Sequence, residues 1–199
     1  MTEKEIWKIL KETGAILKGH FLLSSGRHSD TYFEKFRILE HPDITHRFCR
    51  HLKEKFKDKS IELVLGLATG GIILGYELAG LFGTRAIFTE RFQGKMALRR
   101  GFRIRKGEKV LVAEDVITTG GSVKETIGIA EELGADIVGI ASLVDRTGAK
   151  IDLGYPLKAL VSLEVKSFPA GECPLCKSQL PLVQPGTPKG MVSPSRAVS

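Results

Sequence analysis

Val110-Leu111-Val112-Ala113-Glu114-Asp115-Val116-Ile117-Thr118-Thr119-Gly120-Gly121-Ser122 is the stretch whose reading decides the fold. Its first four residues are apolar without alternation, the pattern of a strand buried on both faces of a parallel sheet. Two carboxylates, Glu114 and Asp115, follow at the C-terminal end of that strand, the edge where open α/β sheets take their ligands. Two threonines, two glycines and a serine then lead into a helix predicted over residues 123–133. A helix start offers unpaired N–H groups and partial positive charge, which suits phosphate. The glycines let backbone approach closely, and the hydroxyls add donors. Acceptors first and donors next is the order a ribose 5′-phosphate requires: carboxylates for the 2′ and 3′ hydroxyls, amides for the phosphate. The plainer reading of the same residues is a Ser- or Thr-capped helix start with acids nearby. Neither the Walker spacing nor a dinucleotide fingerprint occurs here.

Outward from this stretch, strands and helices alternate. Leu63 to Leu67 reads as another buried strand, Ala68-Thr69-Gly70-Gly71 as a turn, and Ile72 to Phe82 as a helix. Ala86 to Thr89, Ile137 to Val144 and Leu157 to Leu163 complete the strand set. Such alternation predicts right-handed βαβ units and an α/β core with a mostly parallel five-stranded sheet flanked by helices. Upstream, residues 3–18 carry apolar side chains at helical spacing, with Gly19 as the stop. Residues 21–30 read as a polar loop and Thr31-Tyr32-Phe33 as a short strand. Pro42 suits the first turn of a helix running to about Lys57. Phe102 and Ile104 alternate with Arg103 and Arg105, which predicts a strand there. The organisation expected is an N-terminal helix and hood over 1–40 and the α/β core over 41–165, with a mobile basic loop at about 90–106. A C-terminal segment over 166–183 is expected to pack near the hood, and a flexible Pro-, Gly- and Ser-rich tail fills 184–199.

Charge is concentrated. Eight basic residues lie between Arg91 and Lys109 against one acid, Glu108, so this short segment alone matches the +7 of the whole chain. Localised charge suits a compact, highly charged anion better than a nucleic-acid coat, which spreads over a face. A solvated hairpin arm is the alternative for a charge run taken alone. Hydrophobic residues at 42% and charged ones at 27% are ordinary globular values, which excludes global disorder. The longest uncharged stretch is shorter than the roughly 20 residues needed to span a bilayer. The first twenty residues carry no leader pattern. A cytoplasmic protein is expected.

Residues 114–122 resemble the phosphoribosyl-diphosphate (PRPP) signature of type I phosphoribosyltransferases, and the chain as a whole resembles the orotate phosphoribosyltransferases. Leu23-Ser24-Ser25-Gly26-Arg27-His28-Ser29 with Tyr32-Phe33 is similar to the family's substrate hood, and Gly66 to Gly71 to its pyrophosphate loop. The basic arm is similar to its mobile catalytic loop, and Leu143-Val144-Asp145-Arg146 to the segment whose Arg meets the orotate carboxylate. The resemblance implies transfer of a phosphoribosyl group from PRPP to orotate, with Mg²⁺, in a homodimer whose basic loop reaches the neighbouring site. By the same resemblance Glu114 and Asp115 hold the ribose. Thr118, Thr119, Gly120, Gly121 and Ser122 form the phosphate cradle, with Thr118 also touching orotate, and Val116 and Ile117 of the same signature count among the substrate-binding residues. Thr69 and Gly70 meet the pyrophosphate. Arg27, Tyr32, Phe33 and Arg146 meet the base, while Arg91, Lys95, Arg99 and Arg100, with Asp115, are the catalytic set. No direct side-chain ligand to the metal is expected. Two departures stand out. Many bacterial relatives carry Lys where this chain has Ser24, which leaves Arg27 or Lys35 for that role. The family's loop often carries a His, and none follows His51 here. A phosphoribosyltransferase for another base, and a PRPP-sensing regulator that binds nucleic acid, are the competing readings. The second is disfavoured because no nucleic-acid-binding motif is present.

Cys173-Pro174-Leu175-Cys176 is a single Cys-x-x-Cys. Zinc takes four ligands and the chain has no second such pair, so reduced structural thiols are the leading expectation, and zinc is the alternative if the pairs of two subunits meet at an interface. The five histidines show no metalloprotease spacing.

Overall fold

The structure is a computed structural model and describes residues 1–23, 25–148 and 151–185. In chain order the elements are α1 (Glu3–Glu12), β1 (Ile16–Leu22), β2 (His28–Phe33), α2 (Phe36–Leu39), α3 (Pro42–Glu54), β3 (Leu63–Leu67), α4 (Gly70–Phe82), β4 (Arg85–Phe92), β5 (Lys95–Leu98), β6 (Lys109–Ile117), α5 (Gly121–Glu132), β7 (Asp136–Asp145), β8 (Leu157–Ser162), β9 (Ser167–Phe168) and α6 (Pro174–Lys177). They form two compact units. The larger takes residues 1–15 and 35–164, the smaller 16–34 and 165–199. The helix expected to belong with the hood thus falls in the larger unit, while the hairpin groups with the C-terminal segment. The tail beyond residue 185, and Ser24, lie outside the described residues.

In the larger unit the sheet order is β5-β4-β3-β6-β7-β8. The five strands from β4 to β8 run parallel, as the alternation predicted. The sixth, β5, pairs antiparallel with β4 and belongs to the basic segment. Gln93 and Gly94 at its tip have φ of 49° and 82°. Two left-handed residues in a two-residue loop match the right-handed twist of the flanking strands. The basic arm is therefore a hairpin of β4 and β5. Phe102 and Ile104 form no strand. Phe102 meets Phe88 edge to face at 5.0 Å, and Ile104 is buried in the core.

β3 and β6 form the middle of the sheet, and Leu63–Leu67 and residues 110–113 are apolar because both faces are covered. Leu63, Leu65 and Leu67 of β3 pack with Val110 and Val112 of β6, and Val123, Ile127 and Ala130 of α5 close one face. Burying one such side chain contributes about 1.5–3 kcal/mol. This core fixes the strand ends on which the polar residues sit.

α1 stops earlier than its apolar spacing predicted. Thr2 caps its start in a reciprocal capping box with Glu5, and Thr13 closes it. Gly14 follows at φ 71°, a conformation that costs Gly little. In the smaller unit β1 pairs antiparallel with β2, and β2 with β9. The segment predicted as a polar loop over residues 21–30 is therefore a hairpin with strand on both sides of its turn.

Candidate functional site

The functional residues of the larger unit gather at the C-terminal ends of β3, β6 and β7. β6 extends further than the sequence predicted. Val116 pairs with Val144 and Ile117 with Asp145, so Glu114 and Asp115 lie inside the strand, and the loop is only Thr118 to Gly120. Val116 and Ile117, expected among the substrate-binding residues, lie within the strand; Ile117 is buried, and its carbonyl accepts from the Arg146 N–H at 2.8 Å.

Thr118 and Thr119 are exposed, and Gly120 takes φ 73° as the residue that starts α5. A side chain at Gly120 would strike Ile151, and Leu153 at 2.9 Å, so two constraints select glycine at this position. Among the described residues no group accepts from the N–H groups of Thr118 to Ser122. Five successive N–H groups, three hydroxyls and the positive end of α5 thus stand together at this turn, the donor set of an anion cradle. The Ser122 hydroxyl accepts from Arg91 Nη2 at 2.9 Å, which brings the first basic residue of the arm to the cradle's rim.

Asp115 is buried, and its Oδ2 lies 2.9 Å from Lys35 Nζ. Glu114 is half-buried, and its Oε1 accepts from the Asp115 N–H at 2.9 Å. Burial and the neighbouring Asp115 charge push the Glu114 carboxyl up to about 8. The pair therefore combines a lysine-neutralised carboxylate with a carboxyl that holds its proton unusually long.

The turn from Ala68 to Gly71 packs against this pair. A non-proline cis peptide joins Ala68 to Thr69. A Cβ at Gly70 would collide with Asp115 Oδ2, and one at Gly71 would lie 2.7 Å from the Ala113 carbonyl oxygen. Gly70 and Gly71 are thus required by close approach, and exposed Thr69 stands at the start of α4. Arg146, half-buried, follows β7 at a turn fixed by Asp145 Oδ1, which accepts from the Thr147 N–H at 2.7 Å. Its backbone is tied to the end of β6, so it shares the edge of the acid pair.

Arg91, Arg99 and Arg100 of the arm are engaged in ion pairs within the larger unit. Arg100 makes two hydrogen bonds of 2.9 Å to the Glu90 carboxylate, and Arg99 approaches it at 3.3 Å. The Arg100 hydrogen bond holds Glu90 below the usual carboxylate range. Arg91 also pairs with Glu125, whose carboxylate accepts from the Met96 N–H and is held low by it. Lys95 is exposed and makes no ion pair among the described residues. Arg105 is anchored with Arg85 on buried Glu108.

Three expected residues lie in the smaller unit. Arg27 donates to the Ser167 hydroxyl and carbonyl at 2.9 and 2.7 Å. Tyr32 is half-buried with its ring tilted on Phe21, whereas Phe33 is buried. The residue missed as part of the acid-pair site is Lys35. It was considered only as a substitute cation for the hood, because nothing in local spacing ties it to a carboxylate eighty positions away.

A parallel sheet that delivers an acid pair to an amide cradle defines a sugar-phosphate-binding α/β protein. The phosphoribosyl transferase domain model matches residues 37–175. An orotate phosphoribosyltransferase of Caldicellulosiruptor bescii is 51% identical over 182 residues, 92% of this chain and 96% of its own length. One of Caldanaerobacter subterraneus subsp. tengcongensis is 50% identical over 189 residues, covering 95% and 100%. The crystal structure of orotate phosphoribosyltransferase from Aeropyrum pernix superposes with a TM-score of 0.69 at 29% identity, covering 78% of this chain and 92% of that one. The chain belongs to the phosphoribosyltransferase family, among the orotate phosphoribosyltransferases.

Proposed function

We propose that this protein transfers the phosphoribosyl group of PRPP to orotate, giving orotidine 5′-phosphate and pyrophosphate, in de novo pyrimidine (UMP) biosynthesis. The observation that carries the reading is the coincidence of the Glu114–Asp115 pair with the free amides of Thr118 to Ser122 at one strand end. The 5′-phosphate sits on those amides and the ribose hydroxyls on the carboxyls. Asp115 accepts, and Glu114, its carboxyl pushed up to about 8 by burial and the Asp115 charge, accepts and in its protonated form also donates. Arg146 offers the orotate carboxylate a planar fork for two oxygens. Pyrophosphate leaves over Thr69 and Gly70.

Displacement at the anomeric carbon passes through an oxocarbenium-like state while negative charge builds on the departing diphosphate. Arg91, Lys95, Arg99 and Arg100 are the cations within the arm that meet that charge. Arg99 and Arg100 leave Glu90 to do so, a movement suited to a hairpin lid that excludes water as it closes. With no His in the arm, charge neutralisation rather than proton donation is its contribution.

The donor set fits Mg²⁺ only in part through protein oxygens. Asp115 Oδ2 is already engaged by Lys35, so Glu114 and Asp115 would act on the cation indirectly, by holding the ribose, and substrate oxygens would supply most of its ligands. When bound, Mg²⁺ neutralises the diphosphate.

The functional protein is a homodimer in this reading. Ile73 and Tyr76 of α4 are exposed, Tyr76 at 75%, beside Leu39 and Pro42, an apolar patch that a second copy covers. No described helix is long and apolar enough to cross a membrane, and the site is read as cytoplasmic.

Incubation with PRPP, Mg²⁺ and orotate is expected to consume orotate absorbance and release pyrophosphate. Turnover with adenine or uracil but not orotate would overturn the assignment.

A further inference from the structure

The smaller unit holds a second group of chemically capable side chains. His20 of β1, His28 of β2, Cys173, and Cys176 of α6 present ligand atoms that all lie within 4.8 Å of one another. His20 Nε2 lies 2.9 Å from His28 Nδ1, 3.5 Å from Cys173 Sγ and 3.6 Å from Cys176 Sγ; Cys176 Sγ lies 3.2 Å from His28 Nδ1. A tetrahedron with zinc bonds of about 2.0–2.1 Å to nitrogen and 2.3 Å to sulfur places N···N near ~3.3 Å and N···S near ~3.6 Å. These four separations match those values to within a few tenths of an ångström, and the remaining two lie within 4.8 Å.

Its surroundings favour the same occupant. The Leu180 carbonyl oxygen is 2.8 Å from His20 Nδ1, so it takes that N–H and leaves the Nε2 lone pair facing the other three groups. The β1–β2 register shifts between Lys18 and Phe21. A bulge there re-aims His20 onto the face that carries His28. His20, His28 and Cys173 are buried. Of the smaller unit's described apolar side chains only Phe21, Phe33 and Cys173 are buried, too thin a core to hold two distant chain segments together unaided.

We infer that His20, His28, Cys173 and Cys176 form a structural zinc site that clamps the β1–β2 hairpin to the C-terminal segment. Four protein ligands leave no open position for substrate, and two thiolates balance the charge of the ion. The lone Cys-x-x-Cys of the sequence finds its other two ligands in histidines about 150 positions away. The inference stands apart from the phosphoribosyl chemistry, and its test does not read activity.

The full chain, purified under reducing conditions and stripped by chelator, is titrated with Co²⁺ and then Zn²⁺. One equivalent of Co²⁺ should give the strong visible bands of tetrahedral coordination and a thiolate-to-cobalt charge-transfer band, both erased by one equivalent of Zn²⁺. Zinc should also raise Tm. His28→Gln should shift the visible bands, and Cys176→Ser, at an exposed position, should weaken the charge-transfer band. Absent uptake, an octahedral spectrum, a wild-type spectrum in His28→Gln, or a Cys173–Cys176 disulfide in the reduced preparation would each overturn the site. The titration of unmutated protein decides the matter even if a variant fails to fold.

Discussion

Lys35 Nζ stands 2.9 Å from Asp115 Oδ2, joining the residue before α2 to the end of the central strand β6. The Asp115 side chain is 3% exposed and that of Lys35 32%, so the ion pair has one foot in the interior. A buried carboxylate beside a second acid requires a cation, because separated charge is costly away from water. Lys35 supplies it and sets the resting charge of the acid pair.

Replacing Lys35 by Met should therefore destabilise the protein by about 1–3 kcal/mol, the scale for leaving a buried polar group without its partner. Asp115→Asn alone should leave the fold intact and weaken PRPP binding. The two changes should not add: a double-mutant cycle by denaturant unfolding is expected to return a coupling of about 1 kcal/mol or more. Strict additivity would show that the contact carries no energy.

Glu114 gives a pH prediction whose direction follows from its raised value. An ordinary glutamate titrates near 4.5, and folded Glu114 near about 8. Between those values the folded state binds the extra proton, so stability falls as pH climbs through the window. Glu114→Gln keeps an oxygen for the Asp115 N–H and removes the titration. The variant should melt with wild type near pH 4 and above it at pH 9, at about 2–4 °C for each kcal/mol relieved in a chain of this size. Parallel pH profiles of Tm would refute the burial of this carboxyl.

Much of the larger unit was legible because β3, β6 and β7 are built around apolar runs (Leu63–Leu67 and residues 110–113 and 137–141) and α5 begins at a glycine pair, signals that depend on local sequence alone. β1 was not legible: Ile16 and Leu17 continue the helical spacing of α1, and nothing local says that the chain leaves the helix at Gly14 rather than Gly19. The position of the acid pair was readable, its depth was not. Val116 and Ile117 look like loop residues until β7 supplies Val144 and Asp145 as partners. The Lys35 ion pair and the convergence of His20 and His28 on Cys173 and Cys176 are contacts between distant positions, which no spacing rule reaches.

Gly70 tests the close packing of the turn on the acid pair. Its backbone has no left-handed strain, so Ala suits the first turn of α4, yet the added methyl would occupy the space of Asp115 Oδ2. Gly70→Ala should displace the carboxylate and weaken PRPP binding at least ~10-fold in a calorimetric titration. Unchanged affinity would mean that Asp115 moves aside without consequence and does not hold ribose.

Lys95 separates binding from chemistry in the arm. Arg91 contacts Ser122, and Arg99 and Arg100 contact Glu90, so changing any of them disturbs an existing contact. Lys95 is exposed at the start of β5 and makes no ion pair among the described residues, so Lys95→Ala leaves the resting hairpin with its hydrogen bonds and turn. If its charge acts only as pyrophosphate departs, kcat should fall by roughly 10²-fold, the scale for losing one preorganised partner of developing charge. The KM for orotate should change little. High salt should not rescue the loss, because the interaction forms in a closed, water-poor site where screening is weak. A variant with unchanged kcat and a raised KM would assign Lys95 to substrate capture and leave the transition state to the three arginines.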